Sequence, residues 1–331
     1  MRVTNRMLSN NYLRDMRSNL GNMQKLNGQL SSGKEIRRPS DNPFKVARSM
    51  QLHTDINTNK QYNENIKDTI NYLDATDQAL YQATNTMQRI RELMVSAGNA
   101  AYGSDERKAI ADEMNERVSE ITQILNTNFD GKYIFGGTKA SSKPLDTKAN
   151  SNTGNNEIIF VDKEGNELPT NSDDPYVLSQ LDMIGSKLST EISQGVLMDY
   201  NVSAKEILTF KNKDGNEINV INLMNDIVNN LTSDNGLDTN KVINENLSAI
   251  DDVVNNLLTI RSEVGAKQNR MESAQLKNED ENFNMTDILS KTEDIDFTEK
   301  TIEFSMAQTT YIASLQVSAK ILPPSLMDYI R

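Results

Sequence analysis

Very few residues of this chain have the types and spacings that catalysis or metal binding requires. The chain has one histidine, His53, and no cysteine. A nucleophile–histidine pair would therefore depend on His53, and a thiolate or multi-histidine zinc site cannot form. We interpret His53 as an ordinary residue of a helix. Gly136–Gly137 is the nearest approach to a phosphate-binding loop, but the Lys-Ser/Thr pair that such a loop needs is missing.

Carboxylates are abundant, but their spacing does not suit paired acid and base chemistry. Asp294 and Asp296 stand two residues apart, and on the helix that we expect here they point in different directions. Glu279–Glu281 lacks the glycine and the alternating oxygen ligands of a calcium loop, so we expect a solvated helix face. The sequence thus predicts no catalytic site, no metal and no cofactor. If the chain were an enzyme, its active site would have to lie in the middle of the chain.

The elements that position these residues are helices with narrow apolar stripes, and the two ends of the chain carry similar ones. Near the start, apolar residues recur at steps of three and four over Leu13–Met23, and near the end isoleucines recur every seven residues over Ile288–Ile302. A stripe this narrow cannot bury itself on a lone helix, so we expect the two ends to pair. The predicted assembly interface consists of Leu13, Met16, Leu20, Met23, Leu30, Ile302, Ile312, Leu315 and Leu322.

Between these ends, two longer segments carry regular heptad patterns. Apolar residues fall every seven positions over Ile66–Met94, which predicts one long helix over about Phe44–Ser96. A shorter helix follows Gly103, and helix resumes near Lys241 with a second heptad pattern over Leu247–Met271. We therefore predict a mainly α fold in which the N- and C-terminal segments form a long antiparallel helical rod.

The middle of the chain has a different pattern. Short apolar runs stand next to Gly165–Asn166 and Asp214–Gly215, which are turn pairs typical of β-hairpins, and one helix is expected over about Leu223–Leu231. We predict a β-rich variable domain at the point where the rod folds back. The predicted domains are residues 1–43 with 297–331 (terminal helices and connecting loop), 44–137 with 241–296 (helical rod) and 138–240 (outer β domain).

Charge is unevenly distributed along the chain. The net charge of −12 disfavours binding to nucleic acid. Residues 1–38 carry eight basic and two acidic residues, whereas residues 272–303 carry three basic and ten acidic ones. These two segments either form solvated faces or attract each other during assembly, in which case salt would weaken the assembly. Because no apolar signal-peptide core and no membrane-length apolar segment is found, we expect a soluble protein or one exported without a cleaved signal.

Four segments, in order around the variable middle, together resemble the bacterial flagellin family. Gln29–Pro43 is similar to that family's helix–loop signature, and Asn128–Gly137 is similar to the stretch where its rod helix gives way to β-structure. Val264–Arg270 and Glu293–Phe297 match its C-terminal signatures. The residues that carry the motifs are Arg38, Pro39, Ser40, Asp41, Pro43, Asn128, Gly131, Tyr133, Phe135, Gly136, Asn269, Arg270, Asp294 and Asp296.

The end of the chain distinguishes members of this family from one another. Ile321–Ile330 is similar to the ending of the subunits at the junction of hook and filament, rather than to that of the filament subunit. Asn42 stands where an acid is common and Pro323–Pro324 where Gln-Pro is usual, but neither departure lies on a helical stripe.

The resemblance implies a structural adaptor, not an enzyme, that joins the flagellar hook to the filament outside the cell. It also implies export in unfolded form without a cleaved signal, and terminal helices that fold as subunits stack. The implied partners are hook-associated protein 1, flagellin, further copies of the chain in a ring, and a flagellar export chaperone. No nucleic-acid or membrane partner is expected. Two alternatives stay open: the flagellin filament subunit itself, and an intracellular coiled-coil scaffold.

Overall fold

A computed structural model describes residues 5–98, 103–150, 154–170, 172–213, 215–232 and 245–321. The chain divides into two compact units, one within residues 1–60 and 280–331 and the other within residues 61–279. Most of the described residues are helical, and each strand among them belongs to a two-stranded antiparallel sheet. The predicted fold class, mainly α with an insert that contains strands, is confirmed.

The helices follow the heptad segments closely. Pro43 begins the long second helix, which suits a residue without an N–H at the first helical position. Within the described ranges, no helix has a stretch long and apolar enough to cross a membrane. The helices are α1 (Asn5–Ser32), α2 (Pro43–Ala97), α3 (Ser104–Leu125), α4 (Pro175–Gly185), α5 (Ala204–Leu208), α6 (Val220–Thr232), α7 (Leu247–Glu293) and α8 (Phe297–Ile321).

The strands pair as short hairpins between α3 and α6. The first hairpin turns at Asp130 and Gly131, whose φ angles of 51° and 74° are both positive, as in the tight turns that match the twist of paired strands. The pairs are β1 (Asn128–Phe129) with β2 (Lys132–Tyr133), β3 (Leu145–Ala149) with β4 (Asn156–Phe160), β5 (Ser189–Ser193) with β6 (Val196–Asp199), and β7 (Thr209–Lys211) with β8 (Glu217–Asn219).

In the first unit, the two terminal helices lie antiparallel. The Tyr12 hydroxyl donates a hydrogen bond to the backbone carbonyl of Ser314. At the opposite end of the helix pair, Gly33 lies against the ring of Phe297. Because position 12 meets 314 while position 33 meets 297, α1 and α8 run in opposite directions. The predicted pairing of the two ends of the chain is confirmed.

In the second unit, α2 and α7 also run antiparallel. The guanidinium of Arg91 pairs with Asp251, and that of Arg261 pairs with Asp77 at 2.9 Å. The heptad residues of both helices are buried in one continuous hydrophobic core, as their spacing predicts. These buried residues are Ile66, Leu73, Leu80, Met87 and Met94 of α2, and Ile250, Leu257, Val264 and Met271 of α7.

Three helices, α4, α5 and α6, accompany the hairpins of the insert. Asp174 caps α4 by accepting a hydrogen bond from the Tyr176 N–H at 2.9 Å, with Pro175 at the first helical position. Ser203 and Glu206 form a capping box at the start of α5. The apolar run before Asp214–Gly215, Ile207–Phe210, was predicted to be strand. These start signals place Ile207 and Leu208 in a helix instead, so only Thr209 and Phe210 of that run belong to a strand.

The C-terminal helix begins later than the isoleucine spacing predicts. α7 continues without interruption to Glu293, and α8 begins at Phe297. The isoleucine pattern over residues 288–302 is therefore divided between two helices, and the prediction of one continuous stripe was wrong. Asp294 and Asp296 lie in the break rather than on a helix, because each has a specific partner there, as described below.

Candidate assembly surface

One face of α1 packs against α8, and it only partly coincides with the predicted stripe. The predicted residues Met16, Met23 and Leu30 lie on this half-buried face. Leu13 and Leu20 lie beside it and stay 42% and 38% exposed. The predicted interface on α1 contained apolar residues only. It therefore left out the polar residues of this face, although they continue the spacing of three and four. The half-buried face of α1 consists of Ser9, Tyr12, Met16, Asn19, Met23, Leu26 and Leu30.

The face of α8 that packs on α1 is separate from the predicted interface. Ile302, Ile312 and Leu315 are 53%, 49% and 46% exposed, and Leu322 lies outside the described residues. Phe304 and Tyr311, seven residues apart, mark the face of α8 that packs on α1. Small residues on the same face let the backbones of α1 and α8 approach each other. The half-buried residues of α8 are Lys300, Glu303, Phe304, Ala307, Tyr311, Ser314 and Ser318.

The charged residues of α8 lie near its two ends, at Glu299, Lys300, Glu303 and Lys320, and the stretch between them carries no charge. Residues 304–319 contain no Asp, Glu, Lys or Arg. Met306 and Val317 add to the exposed apolar surface of this stretch, and the polar residues between them are uncharged Ser, Thr and Gln. A helical stretch without charges on any side is normally surrounded by other protein, and α1 covers one side only. The uncovered side of α8 is therefore a candidate assembly surface.

The joint between α1 and α2 is tied to the joint between α7 and α8. Gly33 ends α1 with a φ of 71°, the left-handed conformation that glycine adopts readily at this position. Its carbonyl accepts a hydrogen bond from the N–H of Ile295 at 3.1 Å. The Nζ of Lys34 lies 2.6 Å from Asp294 and 3.0 Å from Glu293. These contacts hold the bases of both terminal helices in one place.

The Lys34 ion pairs shift the protonation of both partners. The hydrogen bond to Asp294, followed by the one to Glu293, raises the pKa of the Lys34 ammonium above its ordinary value. The same contact, assisted by the hydroxyl of Ser290, lowers the pKa of the Asp294 carboxyl. Both charges are therefore present throughout the neutral range.

The motif residues of the two joints act as helix caps. Asp296 caps α8, since its Oδ1 accepts hydrogen bonds from the N–H groups of Thr298 and Glu299 at 2.8 and 3.1 Å. Asn42 caps α2 in the same way through the N–H of Lys45 at 3.2 Å. Asp296 thus satisfies backbone donors, whereas the Asp294 side chain accepts from Lys34 and Ser290; the sequence did not predict either role.

The exposed turn before α2 is organised by Asp41. Its carboxylate accepts hydrogen bonds from the backbone N–H groups of Arg38 and Arg37 at 3.0 and 3.2 Å. These two bonds lower the pKa of Asp41, with the Arg38 bond having the larger effect. Pro39 and Ser40 form the exposed tip of the turn. The turn gives α2 a defined starting direction.

His53 has a specific partner, which the sequence did not reveal. Its Nε2 lies 3.1 Å from Oε1 of Glu293, and the Ser49 hydroxyl donates to the same carboxylate oxygen. The Glu293 side chain is only 15% exposed. Glu293 therefore connects α2 to α7 at the joint. Among the described residues, no three His, Asp or Glu side chains group together as metal ligands.

The remaining motif residues belong to the second unit. Asn128, Gly131 and Tyr133 form the first hairpin, and Phe135 is fully buried beyond it. A side chain at Gly136 would meet the carbonyl of Lys139 at 2.8 Å, so this close turn requires glycine. Asn269 and Arg270 lie exposed on α7, and nothing in the described chain accounts for them.

Comparisons with known proteins agree with this architecture. Residues 3–140 match the model of the bacterial flagellin N-terminal helical region, and residues 247–330 match that of the C-terminal helical region. Together these matches cover more than half of the chain. The chain belongs to the flagellin family, whose members are structural proteins of the bacterial flagellum, an organelle outside the cell. The resemblance carried by the motif residues is confirmed.

Within this family, the chain is similar to two kinds of subunit. It is 27% identical to a flagellin of Bacillus subtilis (strain 168), over 100% of both chains. It is 24% identical to flagellar hook-associated protein 3 of Escherichia coli (strain K12), over 95% of each chain. A solved structure of a putative flagellar hook-associated protein from Vibrio parahaemolyticus shares the fold with a TM-score of 0.59, at 20% identity over 77% of this chain and 100% of that one.

Proposed function

We propose that this chain is a non-enzymatic adaptor at the junction of hook and filament, with hook-associated protein 1 on one side and flagellin on the other. The similarity to hook-associated protein 3 over nearly the full length of both chains supports this role. The motif turn at residues 38–43 would set the angle between a terminal helical domain (residues 1–43 and 297–331) and a rod domain (residues 44–137 and 241–296). The outer domain (residues 138–240) would project from the rod.

One observation supports the assembly mechanism: the uncharged stretch of α8, residues 304–319, is covered on one side only. Ile302, Ile312 and Leu315 of α8 are each about half exposed. In a ring of subunits, neighbouring α1 and α8 helices would cover these residues. Burial of apolar surface contributes roughly 25 cal/mol per Å², so the affinity is spread over many contacts in every subunit. The other copies of the chain are the first partners of this surface.

The proposal includes folding that is coupled to assembly. The outward apolar residues of the α1–α8 pair, such as Leu13, Ile312 and Leu315, stay exposed, and fixing each residue costs about 1–2 kcal/mol of backbone entropy. In the free subunit these helices would open readily, and stacking would close them. An export chaperone that binds the same apolar residues before assembly would fit this behaviour, and so would export through a narrow channel.

Deletion of the gene tests the junction role. Cells that lack the chain should keep their hooks, lose attached filaments and release flagellin into the medium. Restoring the chain from a plasmid should restore attached filaments. Hooks that carry normal filaments in the deletion strain would contradict the proposal.

The filament subunit itself is the second candidate, because the similarity to the flagellin of Bacillus subtilis extends over the whole of both chains. Purified chain that grows into long filaments on seeds would favour this role. In the junction role, the purified chain should add to the ends of hooks only once and then support flagellin growth.

A further inference from the structure

We propose that a basic strip on α1 of one copy docks against an acidic strip near the end of α7 of a second copy. The basic strip consists of Leu13, Arg17 and Leu20, with Arg14 beside it. The acidic strip consists of Asp280, Phe283 and Asp287. This inference rests on the proposed assembly of the chain, and it adds a second surface to the uncharged side of α8.

The basic strip lies outside the contact between α1 and α8. Leu13, Arg17 and Leu20 are spaced at four and three residues, so they share one side of the helix. All three are exposed. Arg14 is paired only with its neighbour Asp15 at 3.7 Å, and both of those side chains are about three-quarters exposed. Arg17 forms no ion pair with another residue of the described chain. The strip therefore combines exposed apolar side chains with a positive charge, that of Arg17, which no acidic residue of the described chain pairs with.

The acidic strip has the opposite pattern on a helix of the same unit. Asp280, Phe283 and Asp287 are spaced at three and four residues and also share one side. Phe283 is 75% exposed, which is unusual for a large aromatic side chain on a charged helix. Residues 280–287 contain three acids and no Lys or Arg. Asp287 pairs with Lys291 at 2.6 Å one turn further along, which leaves one of its carboxylate oxygens open to solvent partners.

The contacts within one copy do not bring the two strips together. α1 packs on α8, and in the part of the chain that the structure describes, the ion pairs between the basic N-terminal segment and the acidic end of α7 are those of Lys34, at the joint. Arg17 lies 17 positions before Lys34, or about 25 Å along a helix that rises 1.5 Å per residue. The opposite charges of the two segments therefore remain largely unmatched within the subunit. A second copy supplies the complementary strip in each direction, as subunit stacking requires.

The two strips match in length, and their central residues fall opposite each other. Leu13 to Leu20 and Asp280 to Asp287 each cover seven helical steps, or about 10.5 Å of helix. The first strip has a basic residue in the middle, and the second has an aromatic residue with a carboxylate on either side. When the helices lie side by side with the strips aligned, Arg17 lies opposite Phe283, where its guanidinium can stack on the ring and reach the two flanking carboxylates. Charge pairing at such a surface fixes the register of the helices more than it adds affinity.

Charge reversal tests the ion pairs. The Arg17→Glu variant should be retained in isolated hook–filament particles at a level lower by on the order of fivefold, the factor that about 1 kcal/mol of lost pairing represents. The double variant Asp280→Lys with Asp287→Lys should lose retention similarly, and combining it with Arg17→Glu should restore retention. Arg107→Glu, on α3 in the other unit, serves as the control for charge alone. Normal retention of Arg17→Glu, or a loss that the combined variant does not rescue, would overturn the proposal.

Cross-linking tests the contact without changing a charge. The chain has no cysteine, so cells that express both Leu20→Cys and Phe283→Cys variants contain only the two engineered thiols in this protein. Mild oxidation of isolated particles should give a product of twice the subunit mass, which either variant alone should not give. A pairing of Leu20→Cys with Leu197→Cys, an exposed position on β6, serves as the control.

The outcomes separate the two proposals. If the chain is present in the particles and the paired variants do not cross-link above the control, the docking of the strips is wrong while the junction role stands. If unmodified chain is absent from the particles, the junction role fails and this inference fails with it. A cross-linked product with the mass of another flagellar protein would assign the strip to that protein and overturn the second-copy proposal.

Discussion

The Nζ of Lys34 lies 2.6 Å from Oδ1 of Asp294, although 260 positions separate the two residues in the chain. Around this ion pair, the backbone N–H of Glu35 donates to the carbonyl of Glu293 at 2.6 Å, and Lys34 and Asp294 pair as a one-residue antiparallel bridge. α1 ends two residues before Lys34, and α8 begins three residues after Asp294. These contacts anchor the end of α1 and the start of α8 at one point, while the outer faces of both helices stay exposed.

The ion pair makes the stability of the first unit depend on pH at both extremes. The pKa of Asp294 is lowered in the folded state, so its contribution is present above the ordinary carboxyl value of 3.8 and is lost as the pH falls through the lowered value. The pKa of Lys34 is raised, so its contribution is present below 10.5 and is lost as the pH rises through the raised value.

Double-mutant thermal unfolding measures this pair. Both side chains are 43% exposed, so after screening by solvent the coupling between Lys34→Ala and Asp294→Ala should be about 0.2–1 kcal/mol at neutral pH. The coupling should disappear well below pH 3.8. A coupling that is independent of pH would show that the pair does not contribute through its charges.

Loss of the cap on α8 should destabilise the terminal helix pair. Asp296→Ala removes two hydrogen bonds to the first turn of α8, at a cost of about 1 kcal/mol. Asp296→Asn retains an oxygen acceptor and should be close to the parent protein. Circular dichroism during thermal unfolding distinguishes the two variants, and equal midpoints for both would argue against a capping role.

Core and surface leucines should respond differently to truncation. Leu80 is fully buried in the heptad core of the second unit, so Leu80→Ala should lower the free energy of unfolding by about 2–5 kcal/mol. Leu315→Ala changes an exposed residue and should alter monomer stability by no more than about 0.5 kcal/mol. Denaturant unfolding of both variants tests the assignment, and a large effect at Leu315 would indicate that it is already buried in the free subunit.

A charge on the candidate assembly surface should block assembly without unfolding the subunit. Leu315→Asp places a carboxylate on the uncharged side of α8, where a neighbouring subunit would have to desolvate it. The variant should be secreted as a folded monomer and should be absent from hook–filament particles. Lys163→Asp, on the exposed turn after β4, should assemble normally. Normal filaments in cells with only the Leu315→Asp chain would refute the assignment of the surface.

The long helices α2 and α7 were predictable because each carries a regular heptad repeat that packs against the heptad repeat of the other. Ile66–Met94 and Leu247–Met271 each repeat every seven residues, and each repeat is buried in the structure. The hairpin at Asn128–Tyr133 was predictable for a different reason, since Asp130 and Gly131 adopt positive φ angles that few residues tolerate. In both cases a local rule and the tertiary contacts agree.

The packing faces of the terminal helices were less predictable. On α1, apolarity alone selected Leu13 and Leu20, whereas the structure turns Tyr12 and Asn19 toward α8. A polar residue that hydrogen-bonds across the pair, as Tyr12 does to Ser314, does not appear in a pattern of apolar residues. The break at residues 294–296 was missed for a similar reason: Asp296 acts through backbone donors that only the folded joint reveals.

The central claim is that the uncovered side of α8 becomes buried between subunits, and thiol labelling of Ile312→Cys tests it most directly. With no native cysteine, a maleimide reports on this position alone, and Lys163→Cys provides an exposed control. Ile312→Cys should be labelled rapidly in the purified monomer and protected in isolated hook–filament particles, with Lys163→Cys reactive in both. Equal labelling of Ile312→Cys in monomer and particles would show that this side of α8 is not buried between subunits.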